Sequence, residues 1–290
     1  MAGRDNGAVL VTGASTGIGR ATALEFARGG HRVFAGVRKR ADGESLQADA
    51  EGELVPVMID VTKERSIAAA KRKVQRAAGG DGLAALVNNA GVGDAGPVET
   101  LPVEEFRNVI EVNLVGQYAA TQAFLPLIRR GGGRVVFVSS IGGLVASPFM
   151  SAYSASKFGV EALADSLRRE VRPWGIDVIV IEPGSIATPI WERGAERFDA
   201  RKPSREQTRL YGDQLEAMRA GIIATGERGI PPERVARTIA RAIGARRPKT
   251  RYLVGLDAKM GRRIKGLVSD RRLDRLLRSR YDLPDEAPPG

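Results

Sequence analysis

Along the first two-thirds of the chain, short unbroken apolar runs alternate with longer stretches whose apolar residues recur every three or four positions. The short runs are Ala8–Thr12, Arg32–Val37, Leu54–Ile59, Ala84–Val87, Arg134–Val138 and Ile176–Ile181, with Tyr252–Val254 as a late seventh. Most are continuously apolar, which is the mark of parallel strands covered on both faces. Between them Gly17–Gly30, Lys63–Ala78, Val103–Arg129, Ser151–Trp174 and Pro232–Ala245 have helical length and spacing. Alternating β and α segments joined by right-handed crossovers predict an α/β fold. The expected architecture is one doubly wound, seven-stranded and mostly parallel sheet with helices on both faces.

Two segments depart from that rhythm. Ile186–Gly229 is charged but dotted with Ile190, Trp191, Phe198, Leu210, Tyr211 and Met218. An insertion after the sixth strand falls at the carboxyl edge of the sheet, where ligands bind, so 186–229 reads as a substrate lid. The tail Asp257–Tyr281 reads as one or two basic amphipathic helices. Met260, Ile264, Leu267 and Val268 form a stripe that Leu273, Leu276, Leu277 and Tyr281 continue beyond a break near Ser269-Asp270. Such a tail can cover the domain, join a second subunit or lie on an anionic membrane, and packing is the default for so narrow a stripe. Residues 1–255 are therefore taken as the main domain and 256–290 as a basic helical extension.

Composition narrows the chemistry. With 290 residues, 43% of them hydrophobic, the chain has ample material for a large core. The lack of cysteine excludes disulfides and thiolate metal sites and leans towards the cytoplasm. The single histidine, His31, sits at the mouth of a strand and reads as a boundary residue, so no metal site is expected. No secretory signal follows the polar start MAGRDNG, and no run reaches membrane-spanning length. A net charge of +11 raises nucleic-acid binding. The arginines are scattered and carry no interleaved aromatics, so a solvated basic surface is the better reading and no nucleic-acid partner is expected.

The candidate chemistry lies in two places. TGASTGIG, Thr12 to Gly19, follows the first strand and opens the first helix. Glycines there permit a tight turn and let a pyrophosphate approach the free N–H groups of the helix. Tyr153 and Lys157 stand four apart in YSASK, thirteen residues beyond Ser140. A free phenol titrates near pH ~10, and an ammonium one helical turn away favours its phenolate. That pair can give and take a proton.

With these residues in order, the sequence resembles the short-chain dehydrogenase/reductase family from Ala8 to about Thr188. TGASTGIG matches the family's T-G-x-x-x-G-x-G turn and NNAG, Asn88–Gly91, its second signature; PGSIAT, Pro183–Thr188, looks like its segment beside the nicotinamide. The resemblance implies a Rossmann-type domain and a catalytic tetrad of Asn113, Ser140, Tyr153 and Lys157. It places Gly13, Ser15, Thr16, Gly17, Ile18, Gly19, Asn89, Ala90, Gly91, Pro183, Gly184 and Ile186 on the dinucleotide, with Asp60 and Val61 beside the adenine. Thr188 would orient the carboxamide, and Asn113 would hold a water that carries the proton to solvent past Lys157. Tyr153 and Lys157 would serve the cofactor ribose as well as the reaction.

The second strand ends in Val37-Arg38-Lys39-Arg40, with no acid before Asp42. A carboxylate there would bind a ribose 2′-hydroxyl, whereas a guanidinium suits a 2′-phosphate. NADP(H) is therefore expected, with NAD(H) also compatible. Tyr153 would exchange the proton and Ser140 would steady the developing charge while hydride passes to or from the nicotinamide. Leu144, Phe149, Ile190 and Trp191, with Ser140 and Tyr153, are the expected substrate wall. VFAGVRK and RYLVGLDAK resemble the hydroxysteroid- and retinol-dehydrogenase-like branch, which implies a bulky apolar secondary alcohol or ketone. The family also implies pairing of Val103–Arg129 and Ser151–Trp174 across a two-fold axis, as a homodimer or homotetramer. A non-enzymatic NADP-sensing regulator on the same fold, and a sugar-nucleotide epimerase sharing Y-x-x-x-K, stand as alternatives at this point.

Overall fold

The computed structural model describes residues 7–281 and Leu283. The start of MAGRDNG as far as residue 6, and most of the extension beyond Tyr281, lie outside the described residues. Seven strands form one sheet: β1 (Val9–Val11), β2 (Val33–Val37), β3 (Leu54–Met58), β4 (Ala85–Asn88), β5 (Arg134–Val138), β6 (Asp177–Pro183) and β7 (Arg251–Val254). Their order is β3-β2-β1-β4-β5-β6-β7. Every pairing is parallel.

The alternation of side chains along each strand divides the core into two layers. Val9, Val11, Val33 and Ala35 face one side. There they meet α1 (Gly17–Arg28), α2 (Arg40–Ala48) and α9 (Pro232–Gly244) through Phe26, Leu46 and Ile239. Leu10, Phe34, Leu86 and Phe137 face the other side, against α3 (Glu64–Ala78), α5 (Gly116–Arg130) and α6 (Ser151–Glu170), through Val74, Phe124 and Val160. Both faces are covered, which explains why the strands read as unbroken apolar runs.

Several boundaries differ from expectation for local physical reasons. Helix α2 was hidden because it is short, largely lacks apolar residues beyond Leu46 and alanine, and starts three residues after β2. The expected helix Val103–Arg129 is α4 (Val103–Ile110) and α5, joined through a π-helical turn at Glu111–Val115. The expected Ser151–Trp174 stops at Glu170, and a 3₁₀ turn, Arg172–Trp174, follows because Pro173 cannot donate the next helical hydrogen bond. The 186–229 segment forms α7 (Ile190–Ala200) and α8 (Arg205–Arg228), and Ser204 with Gln207 builds a capping box at the start of α8.

The tail forms α10 (Leu256–Leu267) and α11 (Asp270–Arg280), separated at Ser269. It does not cover the domain with its stripe. Met260 is 59% exposed and Leu267 83%, and α11 buries no residue. Among the described residues no helix is long and apolar enough to cross a membrane. His31 lies where a boundary residue belongs, its Nδ1 3.0 Å from the Gly7 carbonyl and its ring edge-on to Phe26.

Candidate active site

The strand order reverses between β1 and β4, and a crevice opens there at their carboxyl ends. Two loops that are far apart in sequence are stitched together at this point. The Thr12 hydroxyl accepts from the backbone N–H groups of Asn89 and Ala90 at 3.0 and 3.1 Å. In return the Asn89 amide donates to the carbonyls of Thr12 and Gly13, both at 3.0 Å. Gly13 has φ +64°, and a Cβ there would come within 2.7 Å of the Ala90 Cα. A Cβ on Gly19 would fall 2.2 Å from the Gly13 carbonyl oxygen. The turn therefore closes only with glycine at both positions. Thr16 makes no side-chain cap to α1, which leaves the helix's first N–H groups free for an anion.

The resulting cleft encloses about 1400 Å³ of space open to solvent. Gly13, Ser15, Thr16, Gly17 and Ile18 line it, with Arg38, Asp60, Val61, Asn89, Ala90, Gly91, Pro183, Gly184, Ile186 and Thr188. Of the residues expected on the cofactor, only Gly19 is absent from the wall; it packs beneath the turn. This glycine-walled trough at a helix amino terminus fits a dinucleotide in shape and polarity. The segment Pro183–Ile186 is pinned from outside by Asp257, whose Oδ2 accepts from the Ser185 N–H at 2.6 Å. Nothing in the sequence pattern pointed to Asp257.

Helix α6 carries Tyr153 and Lys157 into the same cleft, and Ser140, at the end of β5, faces them. Lys157 Nζ lies 5.6 Å from the Tyr153 ring centroid and donates to the Val138 carbonyl at 2.9 Å. Burial drives the amine down to about 8, against a smaller upward pull from Glu161. Burial also pushes the Tyr153 phenol up, and hydrogen bonding with Ser140 only partly offsets this. The expectation of a phenol acidified by its lysine thus gives way, in this state, to a desolvated phenol that holds its proton. The cause is burial of the phenol itself, beside an amine that is turned to a backbone carbonyl.

Asn113 sits in the π-helical turn, fully buried behind the cleft wall. Its Oδ1 accepts from the Val92 N–H at 2.8 Å, and its Nδ2 donates to the Val92 carbonyl at 2.9 Å and the Ser156 hydroxyl at 3.0 Å. The side-chain amide is fully committed, and it clamps the loop after NNAG to α6.

Ile190 and Trp191 line the cleft and also a small adjoining pocket. That pocket includes Tyr153, Met150, Ile222 and Asp94. Leu144 does not reach either space. Phe149 lines neither space and packs against the buried cluster of Ala95, Ala195, Met218 and Ile222. Its backbone has φ +62°, an outlier for a bulky residue. Asp94, 2% exposed, is paired with Arg201 from beyond α7, and Arg197 donates to the Gly93 carbonyl at 2.9 Å. These contacts fasten α7 and the turn after it to the loop after β4. They join residues about a hundred positions apart, so no local pattern could have announced them.

Comparison with known proteins agrees with this geometry. Residues 7–197 match the family model described as short chain dehydrogenase. The chain is 34% identical over 272 residues to the NADPH-dependent 3-dehydrocapnine reductase of Ornithobacterium rhinotracheale, covering 92% of this chain and 94% of that protein. It is 36% identical over 265 residues to mouse (Mus musculus) retinol dehydrogenase 5, covering 87% and 81%. Among solved structures, a short chain dehydrogenase from Burkholderia cenocepacia in complex with NADP superposes with a TM-score of 0.72 at 26% identity, covering 97% of this chain and all of the other. With its glycine turn, all-parallel sheet and tyrosine–lysine helix, this chain belongs to the short-chain dehydrogenase/reductase family of NAD(P)-dependent oxidoreductases, in its retinol- and hydroxysteroid-dehydrogenase-like branch.

Proposed function

We propose that the protein interconverts a bulky, apolar secondary alcohol and its ketone with NADP(H) as the preferred cofactor. The reading rests above all on one feature: Tyr153, Ser140 and Lys157 line the same cleft as the glycine-rich turn. A bound nicotinamide dinucleotide supplies or accepts the hydride. In the ketone-reducing direction the Tyr153 phenol donates its proton to the substrate oxygen, and its raised affinity for that proton suits a resting acid. The Ser140 hydroxyl donates to the same oxygen as charge develops on it. Lys157 leaves the Val138 carbonyl for the cofactor ribose, and its charge eases departure of the phenolic proton. Asn113 acts by fixing the Val92 loop. The water assigned to it by resemblance then belongs on a main-chain carbonyl, which a π-turn can leave without its regular helical partner.

Met150, Ile190, Trp191 and Ile222 favour an apolar substrate body, and a similar retinol dehydrogenase points the same way. Arg38, exposed on the cleft wall, is the proposed 2′-phosphate contact, in keeping with the NADPH named for the similar reductase. Residues 1–255 act as the cofactor and catalytic domain, 186–229 as its lid, and 256–290 as the extension. Phe106, Tyr118 and Phe158 on α4, α5 and α6 are 38–51% exposed and support pairing of these helices in a homodimer or homotetramer. The exposed stripe and basic residues of α10 and α11 support peripheral contact with an anionic membrane, and the cysteine-free sequence fits the cytoplasm.

The test is nicotinamide absorbance with NADPH and a panel of steroid, retinoid and aliphatic ketones. Tyr153→Phe is expected to lose about 10²–10⁴ in kcat. Absence of turnover in wild type and Tyr153→Phe alike would instead favour the cofactor-sensing regulator, and equal turnover would overturn the role of Tyr153.

A further inference from the structure

Behind the catalytic face of α6 lies a buried cluster of charges that the mechanism above does not use. Tyr153, Lys157 and Glu161 are spaced by four, so they form one ladder along α6. Glu161 is 8% exposed. Its Oε2 accepts from Arg251 Nε, on β7, at 3.0 Å, while its Oε1 is buried without a hydrogen-bond partner among the described residues. Arg251 also lies 3.2 Å from Glu182 on β6 and donates to Asp165, the next turn of α6, at 2.9 Å. Glu182 is fully buried and has a second cation, Arg262 of α10, at 3.3 Å. Asp165 is paired with Arg168 as well.

A buried carboxylate costs free energy unless it is compensated. Glu161 holds only a share of Arg251, because Glu182 and Asp165 engage the same guanidinium. The residual negative charge therefore faces Lys157, one helical turn away. Among the described residues β5 offers the amine a neutral acceptor, the Val138 carbonyl, and Glu161 is the charge that acts on it. Asp257, across the Pro183–Ser185 segment, is engaged by the Ser185 N–H.

We propose that Glu161 is a positioning residue for the reaction: held by Arg251, it is the counter-charge that keeps the buried Lys157 amine protonated, and so sets the upper pH limit of activity. This rests on the catalytic assignment of Tyr153 and Lys157. Burial alone drives the amine towards its neutral form, and Glu161 is the one group that opposes it. A neutral amine can neither ease the loss of the phenolic proton nor attract the ribose hydroxyls as strongly.

The test compares kcat/KM for NADPH-dependent ketone reduction between about pH 6 and about pH 10 in wild type, Glu161→Gln, Glu161→Asp and Tyr153→Phe. Removing a nearby negative charge makes the ammonium easier to deprotonate. The high-pH limb should therefore move down by about 1 pH unit in Glu161→Gln, a roughly tenfold loss at a fixed pH on that limb. Glu161→Asp, with its charge drawn back by one methylene, should fall between the two, and it carries the test if the glutamine variant does not fold. A merely structural role would lower activity or Tm at every pH and leave the limb in place. An unmoved limb in both folded variants, with Tyr153→Phe inactive, overturns the role of Glu161 alone. Full activity of Tyr153→Phe would overturn the catalytic assignment and the role of Glu161 with it.

Discussion

Arg38→Ser isolates the choice between the two nicotinamide cofactors. Three cations end β2, but they are not equivalent. Arg40 is engaged by Glu44, Nε to Oε1 at 2.8 Å, and Lys39 stands at the N-cap of α2 and is absent from the cleft wall. Arg38 lines the cleft beside Asp60 and Thr62, and among the described residues it has no ion pair to break. A hydrogen bond to a charged group contributes roughly 1.5–3 kcal/mol. Arg38 is exposed, so solvent screening favours the lower figure, about 1.5 kcal/mol, or roughly a tenfold change in Kd. NADPH titrated by its fluorescence should bind Arg38→Ser about tenfold more weakly, with NADH changed by less than about twofold. Added salt should weaken NADPH more than NADH in wild type, and this difference should shrink in the variant. A tenfold wild-type preference for NADH, or equal losses for both cofactors in Arg38→Ser, would refute the 2′-phosphate reading.

Two further outcomes follow from packing and exposure. Gly19→Ala sets a methyl 2.2 Å from a backbone carbonyl that cannot yield, and should cost about 1–3 kcal/mol along with cofactor affinity. Gly266→Ala, in an exposed turn of α10 with nothing within 4 Å of its Cβ position, should be neutral or stabilising by up to ~1 kcal/mol; thermal melts of the two variants check the contrast. In sedimentation with vesicles, the protein should partition onto anionic phosphatidylglycerol membranes at low salt and not onto phosphatidylcholine. Replacing Met260 and Leu267 by serine should weaken that partition, and equal recovery with both lipids would remove the membrane role.

The strand pattern, the glycine turn and the tyrosine–lysine spacing were legible in the sequence because each is a local constraint. Parallel strands buried on both faces read as near-continuous apolar runs, as 135–138 does, and only glycine tolerates the backbone of Gly13. Local pattern also announced the break near Ser269 and the unusual 186–229 segment. It could not reveal α2, whose charged surface carries little periodicity, or the π-turn that aims Asn113 at Val92. Nor could spacing foresee that Asp257 holds the segment after β6.

What the chain determined by itself was the order of its strands and helices and the identity of its proton-handling and phosphate-facing groups. Tertiary structure alone decided the electrostatic state of those groups. Burial lowers the Lys157 amine to about 8 and raises the Tyr153 phenol, and Glu161 shares Arg251 with Glu182. Desolvation and charge pairing depend on which distant residues surround a group, and residues 90 positions apart meet only once the sheet has closed.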